Sequence, residues 1–307
     1  MGQVHDLLAA RGKAEALKAA EFDRREIEAA ATYMADEDSG IGFLYSGWCQ
    51  AALPHRRLPD HSGWQIKTDR ITLVVEPGMR PGAQDTPEPI GVPYGSRARL
   101  IMLYLQSEAL RTSSREVELG RSLRNWLERM GISVGGKSVV AVREQAERIS
   151  RCRLSFHLQS GRSSGMIQQN ILDKAFFLQE EDLRQGSLFL ETAKLSEPFY
   201  EQLQRHPVPV EEAAIRSVNN NSMALDLYAW LAYRLHSLPG VRPISWKALK
   251  GQFGQSFCRG DNFKARFLDN LRLALAVYPA AKVEIESRGL ILHPSRPPVA
   301  PRVKSIV

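Results

Sequence analysis

Residues 96–158, SRARLIMLYLQSEALRTSSREVELGRSLRNWLERMGISVGGKSVVAVREQAERISRCRLSFHL, decide the fold. Leu100, Ile101, Tyr104 and Leu105 share one face at helical spacing, and the helix they predict ends near Arg111. Ser113-Ser114-Arg115-Glu116 has the form of a capping box, with Ser113 placed to accept an amide and Glu116 to reach back. The helix it opens turns Leu119, Leu123, Trp126, Leu127 and Met130 inward, and Gly131 supplies a left-handed stop. A third helix is expected over 138–151, with Val139, Val142, Ala146 and Ile149 inward. Strand-like text follows at Arg153 to Leu158, Ile171 to Leu178 and Ser187 to Leu190, with a Ser/Gly loop after the first. Upstream, the β-branched run Ile71 to Val75 is a strand ended by Pro77-Gly78, and Pro81 to Pro93 is a loop.

A similar order recurs after Pro207 and Pro209. A short helix near 211–218 precedes a longer one from Ser222 to Leu238, with Leu227, Tyr228, Leu231 and Leu235 inward. Another short helix runs from Ser245 to about Gln252. Asp261 caps a long helix to Tyr278, burying Phe263, Phe267, Leu271 and Leu275 at steps of four. Lys282 to Glu286 and Leu290 to Leu292 flank the turn Ser287-Arg288-Gly289. Three helices and a β-hairpin, twice over, give an α+β, helix-rich fold of tandem winged-helix domains. The expected division is a helical N-terminal extension at 1–60, winged-helix domains at 61–205 and 206–293, and a Pro-rich tail at 294–307. The first forty residues, alternating Ala with Glu, Lys and Arg, read as a solvated helical arm.

The length, 307 residues, suits about two domains of roughly 150 residues each. Composition is that of an ordinary globular chain, 43% apolar and 24% charged. Cys49, Cys152 and Cys258 are far apart and odd in number, which makes neither a disulfide framework nor a zinc pair and points to a reducing cytosol. No apolar run approaches the roughly 18 residues of a membrane span, and Met1 to Ala20 lacks a signal-peptide core. The expected location is therefore cytoplasmic, with no membrane partner. Net charge is +7 and unevenly spread. Arg111 to Arg153 carries ten basic and five acidic groups, and Arg242 to Arg272 seven and two, whereas residues 1–40 carry five and nine. Separate basic segments on separate units suit a polyanion partner.

Gly131 to Ser138 (GISVGGKS) satisfies the P-loop pattern, but a phosphate loop must leave a buried strand, and Arg121 to Met130 has helical charge spacing. The simpler account has Gly131 stop one helix and Gly135-Gly136 start the next, with Lys137 and Ser138 beside free amides that can hold a nucleic-acid phosphate. Gly40-Ile41-Gly42 lacks a dinucleotide-binding context. Cys49, His55, Asp60 and His61 fit no usual metal pattern. Glu180-Glu181-Asp182 reads as a solvated helix start. The chain is accordingly expected to be no enzyme, with no catalytic group, metal or cofactor.

The candidate site is a double-stranded DNA interface. Lys137, Glu144, Arg148 and Arg151 face away from the apolar stripe of the 138–151 helix, and Asn262, Arg266, Asp269 and Arg272 do so on the helix from Asp261. Arg suits guanine and Asn adenine at base edges. Lys247, Lys250, Arg259 and Arg288 would flank them as phosphate anchors. The connection from Gln252 to Asp261 is longer than an ordinary helix-turn-helix turn.

Gly42 to Gly47 (GFLYSG), Leu53 to Arg56 (LPHR), Gly91 to Ile132 (GVPYGSRARLIMLYLQSEALRTSSREVELGRSLRNWLERMGI), Ala224 to Leu231 (ALDLYAWL) and Leu275 to Pro279 (LAVYP) resemble the plasmid-encoded RepA replication initiators. That resemblance implies a non-enzymatic initiator that binds repeated sites (iterons) at a plasmid origin, helps open the duplex and recruits the host initiator and replicative helicase. It also implies a monomer for iterons and a homodimer that represses its own gene. The competing readings are a winged-helix repressor without initiator activity and a P-loop ATPase using residues 131–138.

Overall fold

The computed structural model describes residues 3–300 apart from 20, 39, 69–70, 83–84, 133–134, 161–162, 176–191 and 258. The protein is α+β, and its chain divides into two compact units, one of Phe43–Pro207 and one joining the residues up to Gly42 to those from Val208 onward. Against the divisions expected at 60, 205 and 293, the N-terminal helices thus belong with the C-terminal part.

In the unit from Phe43, β1 (Ile41–Tyr45) leads into α3 (Ser46–Gln50), and β2 (Trp64–Lys67) pairs with β3 (Ile71–Glu76). A two-residue pair, β4 (Met79–Arg80) and β5 (Glu88–Pro89), closes the loop before α4 (Gly95–Arg111). This helix is buried on every side from Leu100 to Ser107, not on the single face expected. Its two polar residues there have assigned work. Gln106 Oε1 accepts the Tyr45 N–H at 2.7 Å and Ser107 Oγ the Phe43 N–H at 2.8 Å. Two donors of β1 are thereby satisfied inside the core, where an orphan would cost about 1–3 kcal/mol.

After α4 the capping box fails. Ser113 has φ +52°, in the left-handed region, and Glu116 begins a strand, β6 (Glu116–Glu118), whose first N–H is bonded to Ser114 Oγ. The strand pairs with β10 (Thr192–Leu195), some eighty residues downstream, and buries Val117. The helix α5 (Gly120–Arg129) starts only after it, and α6 (Lys137–Arg151) follows. The hairpin of β7 (Arg153–Ser160) and β8 (Ser163–Asn170) extends the β2–β3 sheet, with Leu73 opposite Phe156 and Val75 opposite Leu154. It is β9 (Leu172–Ala175), beside β10, that completes a sheet of order β6-β10-β9. Ser187 to Leu190, Glu180 to Asp182 and the end of the expected 171–178 strand lie outside the described residues. The amphipathic α7 (Glu197–Arg205), capped by Ser196 Oγ, buries Phe199, Tyr200 and Leu203.

The other unit begins with α1 (Gln3–Lys18), kinked at Gly12 (φ +71°), and α2 (Arg24–Met34). Its remainder comprises β11 (Pro207–Glu211), α8 (Glu212–Ser217), α9 (Ser222–Leu235), β12 (Arg242–Ser245), α10 (Trp246–Phe253), α11 (Gly260–Ala276), β13 (Val283–Ile285) and β14 (Gly289–Leu292). The last three strands run in the order β12-β14-β13. Trp230, Phe253, Phe263 and Phe267 form a run of ring contacts at 5.4–5.7 Å. Each ring so buried contributes about 1.5–3 kcal/mol.

One face of α1 and α2, expected within a solvated arm, packs instead. Val4, Leu8, Ile27, Ala29 and Ala30 are buried, and α2 lies against α8 and α11. His5 Nε2 meets the Ala276 carbonyl at 2.8 Å, the Tyr33 hydroxyl donates to Glu211 at 2.8 Å, and Arg216 pairs with Asp36 at 2.7 Å and Asp38 at 3.1 Å. Small alanines let the helices approach, and Asp36 and Asp38, which looked like part of a solvated face, answer Arg216 of the same unit.

Candidate nucleic-acid interface

On α6 the expected residues do not converge. Lys137 is exposed in the first turn, and Ser138 beside it is half-buried with its Oγ unbonded. Arg151 lies at the far end, about 21 Å away at 1.5 Å per residue. Its guanidinium reaches the Met79 carbonyl at 3.2 Å and Glu147 at 3.5 Å.

Arg148 is not a base reader. Its side chain is 3% exposed and pairs with Asp60 at 3.0 Å and Glu144 at 2.9 Å. It also donates to the Val92 carbonyl at 3.2 Å and lies 5.2 Å from the Tyr94 ring centroid. A charge removed from water must be paired this thoroughly. Helix phase put Arg148 on the polar side of α6 correctly, but loops 55–61 and 91–94 cover that side. Burial opposes the Asp60 charge, yet hydrogen bonds from Arg57 and Arg148 outweigh it and hold this carboxyl below its usual pKa.

The site residues of the C-terminal part divide along α11. Asn262 and Arg266 are exposed one turn apart, with Arg259 just before the helix, where Asp261 pairs with it at 2.6 Å. Asp261 also accepts the Asn262 N–H at 3.0 Å, and the two donors, Arg259 first, lower its pKa. The expected N-cap therefore moves to Arg259, with Asp261 in the first turn favouring the helix dipole. Lys247 is exposed in the first turn of α10, Lys250 lies one turn on, and Arg288 is exposed in the turn before β14. Arg272 is separate. It sits about 9 Å further along the axis, 3.6 Å from Asp269 and within electrostatic reach of Asp23 and Glu26 on α2.

Two residues of α10 and α11 were missed in the sequence. The Trp246 indole donates to the Ser287 carbonyl at 3.0 Å and packs edge-on against Phe267 at 5.8 Å. The Lys264 ammonium lies 4.8 Å from its ring centroid. The available signal was position, since Trp246 directly follows Ser245, whose hydroxyl caps α10 through the Ala248 N–H.

The P-loop match lacks its context as well. Helix α5, not a strand, precedes Gly131, which has φ +74°. Ser133 and Val134, within the motif, lie outside the described residues. Among the described residues no group of three or more His, Cys, Asp or Glu is placed to hold a metal, and no helix is long and apolar enough to cross a membrane. Cys49 and Cys152 are buried, and burial pushes the pKa of the Cys152 thiol up to about 12. Cys258 is outside the described residues.

Residues 92–247, just over half of the chain, match the family model for plasmid encoded RepA protein. The chain belongs to the plasmid-encoded RepA family. No curated protein sequence matches this RepA-family chain. Among solved structures, that of selenomethionine derivatives of domains 2 and 3 of RctB is similar over 83% of this chain and 99% of that one, at 12% identity and a TM-score of 0.53. A second structure of RctB domains 2–3 covers 79% of the RepA-family chain and 93% of its own, at 12% identity and a TM-score of 0.49. The first of these likenesses is one of fold.

Proposed function

We propose that the protein initiates plasmid replication by binding repeated double-stranded DNA sites at the origin through two winged-helix units. Both units follow the same order: helix, strand, helix, helix and two final strands, with the last strand central in the sheet. The sheets are β6-β10-β9 and β12-β14-β13, and the β7–β8 hairpin is an insertion in the first. In this arrangement α6 and α11 take the reading position, and the turn between β13 and β14 is a wing.

The observation that carries the proposal is the cationic surface around Trp246. Trp246 of α10 carries Lys264 of α11 on its ring face and bonds the wing turn that holds Arg288, with Lys247 exposed next to it on α10 and Asn262 and Arg266 exposed on α11. Such a surface offers side chains for base edges and anchors for phosphates. Lys137, exposed at the start of α6, supplies a phosphate contact for the first unit, whereas Ser138 has a buried Oγ and an N–H taken by the Gly135 carbonyl. Origin opening, recruitment of the host initiator and helicase, and a homodimer that represses its own gene belong to the same proposal, by way of the family.

Footprinting on the protein's own plasmid, with and without ATP, tests it. Regularly spaced protection over short repeats, indifferent to ATP, is the expected result. Protection confined to a promoter would make the protein a repressor, and a footprint that requires ATP would overturn the reading in favour of the P-loop. Within the footprint, Arg266→Ala should lose about 1–3 kcal/mol of specific affinity and relax base preference, while Lys250→Ala weakens all sequences alike and lowers the salt slope by about 1.

A further inference from the structure

We infer that Trp246 is a positioning residue that sets the wing against the reading helix, so that Arg288 and the α11 residues engage one DNA site in a fixed register. The inference rests on the winged-helix reading of the C-terminal unit. The indole joins all three parts. Its Nε1–H donates to Ser287 in the wing turn at 3.0 Å, and its backbone N–H donates to the Arg288 carbonyl at 3.1 Å. Its ring meets Phe267 of α11 edge-on at 5.8 Å, with an interplanar angle of 86°, and carries the Lys264 ammonium on its face.

The wing has little freedom to compensate. Glu286 and Gly289 bond across the turn, with the Glu286 N–H donating to the Gly289 carbonyl at 2.9 Å. Gly289 (φ +159°) sits so close to β12 that a Cβ would lie 1.9 Å from the Ile244 carbonyl oxygen. The base of the wing is thus pinned to β12, and its tip is held to α10 by the Trp246 backbone N–H and linked to α11 through the Trp246 side chain. The backbone of Arg288, whose carbonyl takes the Trp246 N–H, cannot shift without breaking that bond.

The test is a double-mutant cycle of Trp246→Phe and Arg288→Ala, read on a duplex carrying the footprinted repeat. Phenylalanine keeps an aromatic ring for Phe267 and Lys264 and removes the N–H donor with part of the indole's contact area, a smaller loss than Trp246→Ala. Each single change should weaken binding about fivefold, the effect of one lost hydrogen bond or phosphate contact. The double variant should be little weaker than Arg288→Ala alone, since a wing without its cation gains nothing from being held.

Amide exchange supplies a second measurement that needs no DNA. Trp246→Phe should speed exchange at Glu286 and Gly289 and leave the α9 amides unchanged. Multiplicative losses in the cycle, or faster exchange throughout the unit, would reduce Trp246 to a packing residue and overturn the inference. Failure of the parent protein to bind any plasmid repeat would instead remove the DNA reading, and the exchange result alone would then decide whether the indole holds the wing.

Discussion

Replacing Arg148 by methionine would keep most of its volume while removing the guanidinium that joins α6 to the loops at 55–61 and 91–94. The bond lost at the Val92 carbonyl strands a buried acceptor, at about 1–3 kcal/mol. Asp60 and Glu144 are 37% and 33% exposed, so water can take over their solvation, and the two pairs together add only about 1 kcal/mol. A total of about 2–4 kcal/mol follows. Read in urea, it should appear as a lower midpoint with unchanged slope. A second substitution sharpens the argument. Gly91 has φ +76°, and a Cβ there would lie 2.1 Å from Arg148 Nη1 and 2.7 Å from Asp60 Oδ1. Gly91→Ala therefore adds a clash to a backbone strain of order 1–3 kcal/mol, and Arg148→Met relieves the nearer part of that clash. In the cycle, Gly91→Ala should cost measurably less in the methionine background. If Arg148→Met changed stability by less than about 0.5 kcal/mol, as an exposed side chain would, yet abolished DNA binding, the buried clamp would be refuted and Arg148 restored to the interface.

Three further outcomes are expected. His55, pushed down to about 3 chiefly by burial and then by Arg99, stays neutral when folded and gains a proton only in the unfolded chain below its ordinary 6.5. Stability should be full above pH 6.5 and fall below it by at most about 1.4 kcal/mol per unit, and His55→Gln should flatten that part of a pH series of urea melts. Ile27→Ala should destabilise the unit that contains α11 by about 2–5 kcal/mol and speed amide exchange along α11, whereas a solvated arm would show neither. Arg272→Ala should leave base preference unchanged in the footprint while Arg266→Ala relaxes it, because α2 already supplies Arg272 with acidic neighbours.

Local signals were reliable where a segment's own periodicity matched its burial. The 138–151 helix is α6 to within a residue, the helix expected from Ser222 to Leu238 is α9 and ends at Leu235, and the turn expected at Ser287-Arg288-Gly289 leads into β14, which begins at Gly289. The failures have one cause. Ser113 to Glu116 scored as a cap because cap chemistry is local, but Glu116 to Glu118 takes its bonds from β10 far along the chain. Arg148 scored as a surface residue because a helix wheel shows only its own helix. The acidic residues of 1–40 scored as solvated because charge alone does not reveal a partner, and Arg216 and Arg272 are remote in sequence.

Helix-rich α+β character, the order of elements, the uneven basic charge and the family strings were present in the sequence itself, because spacing, composition and turn chemistry are properties of neighbouring residues. Which cations are buried or given acidic neighbours was settled only in three dimensions. Arg148 and Arg272 have the same side chain as Arg266 and the same claim by helix phase, and they differ only in what the rest of the chain lays beside them. Trp246 became the centre of the candidate interface in the same way, through Ser287, Lys264 and Phe267, none of which is its neighbour in the chain. Desolvation and pairing depend on every element that packs around a group, so the tertiary structure alone decided them.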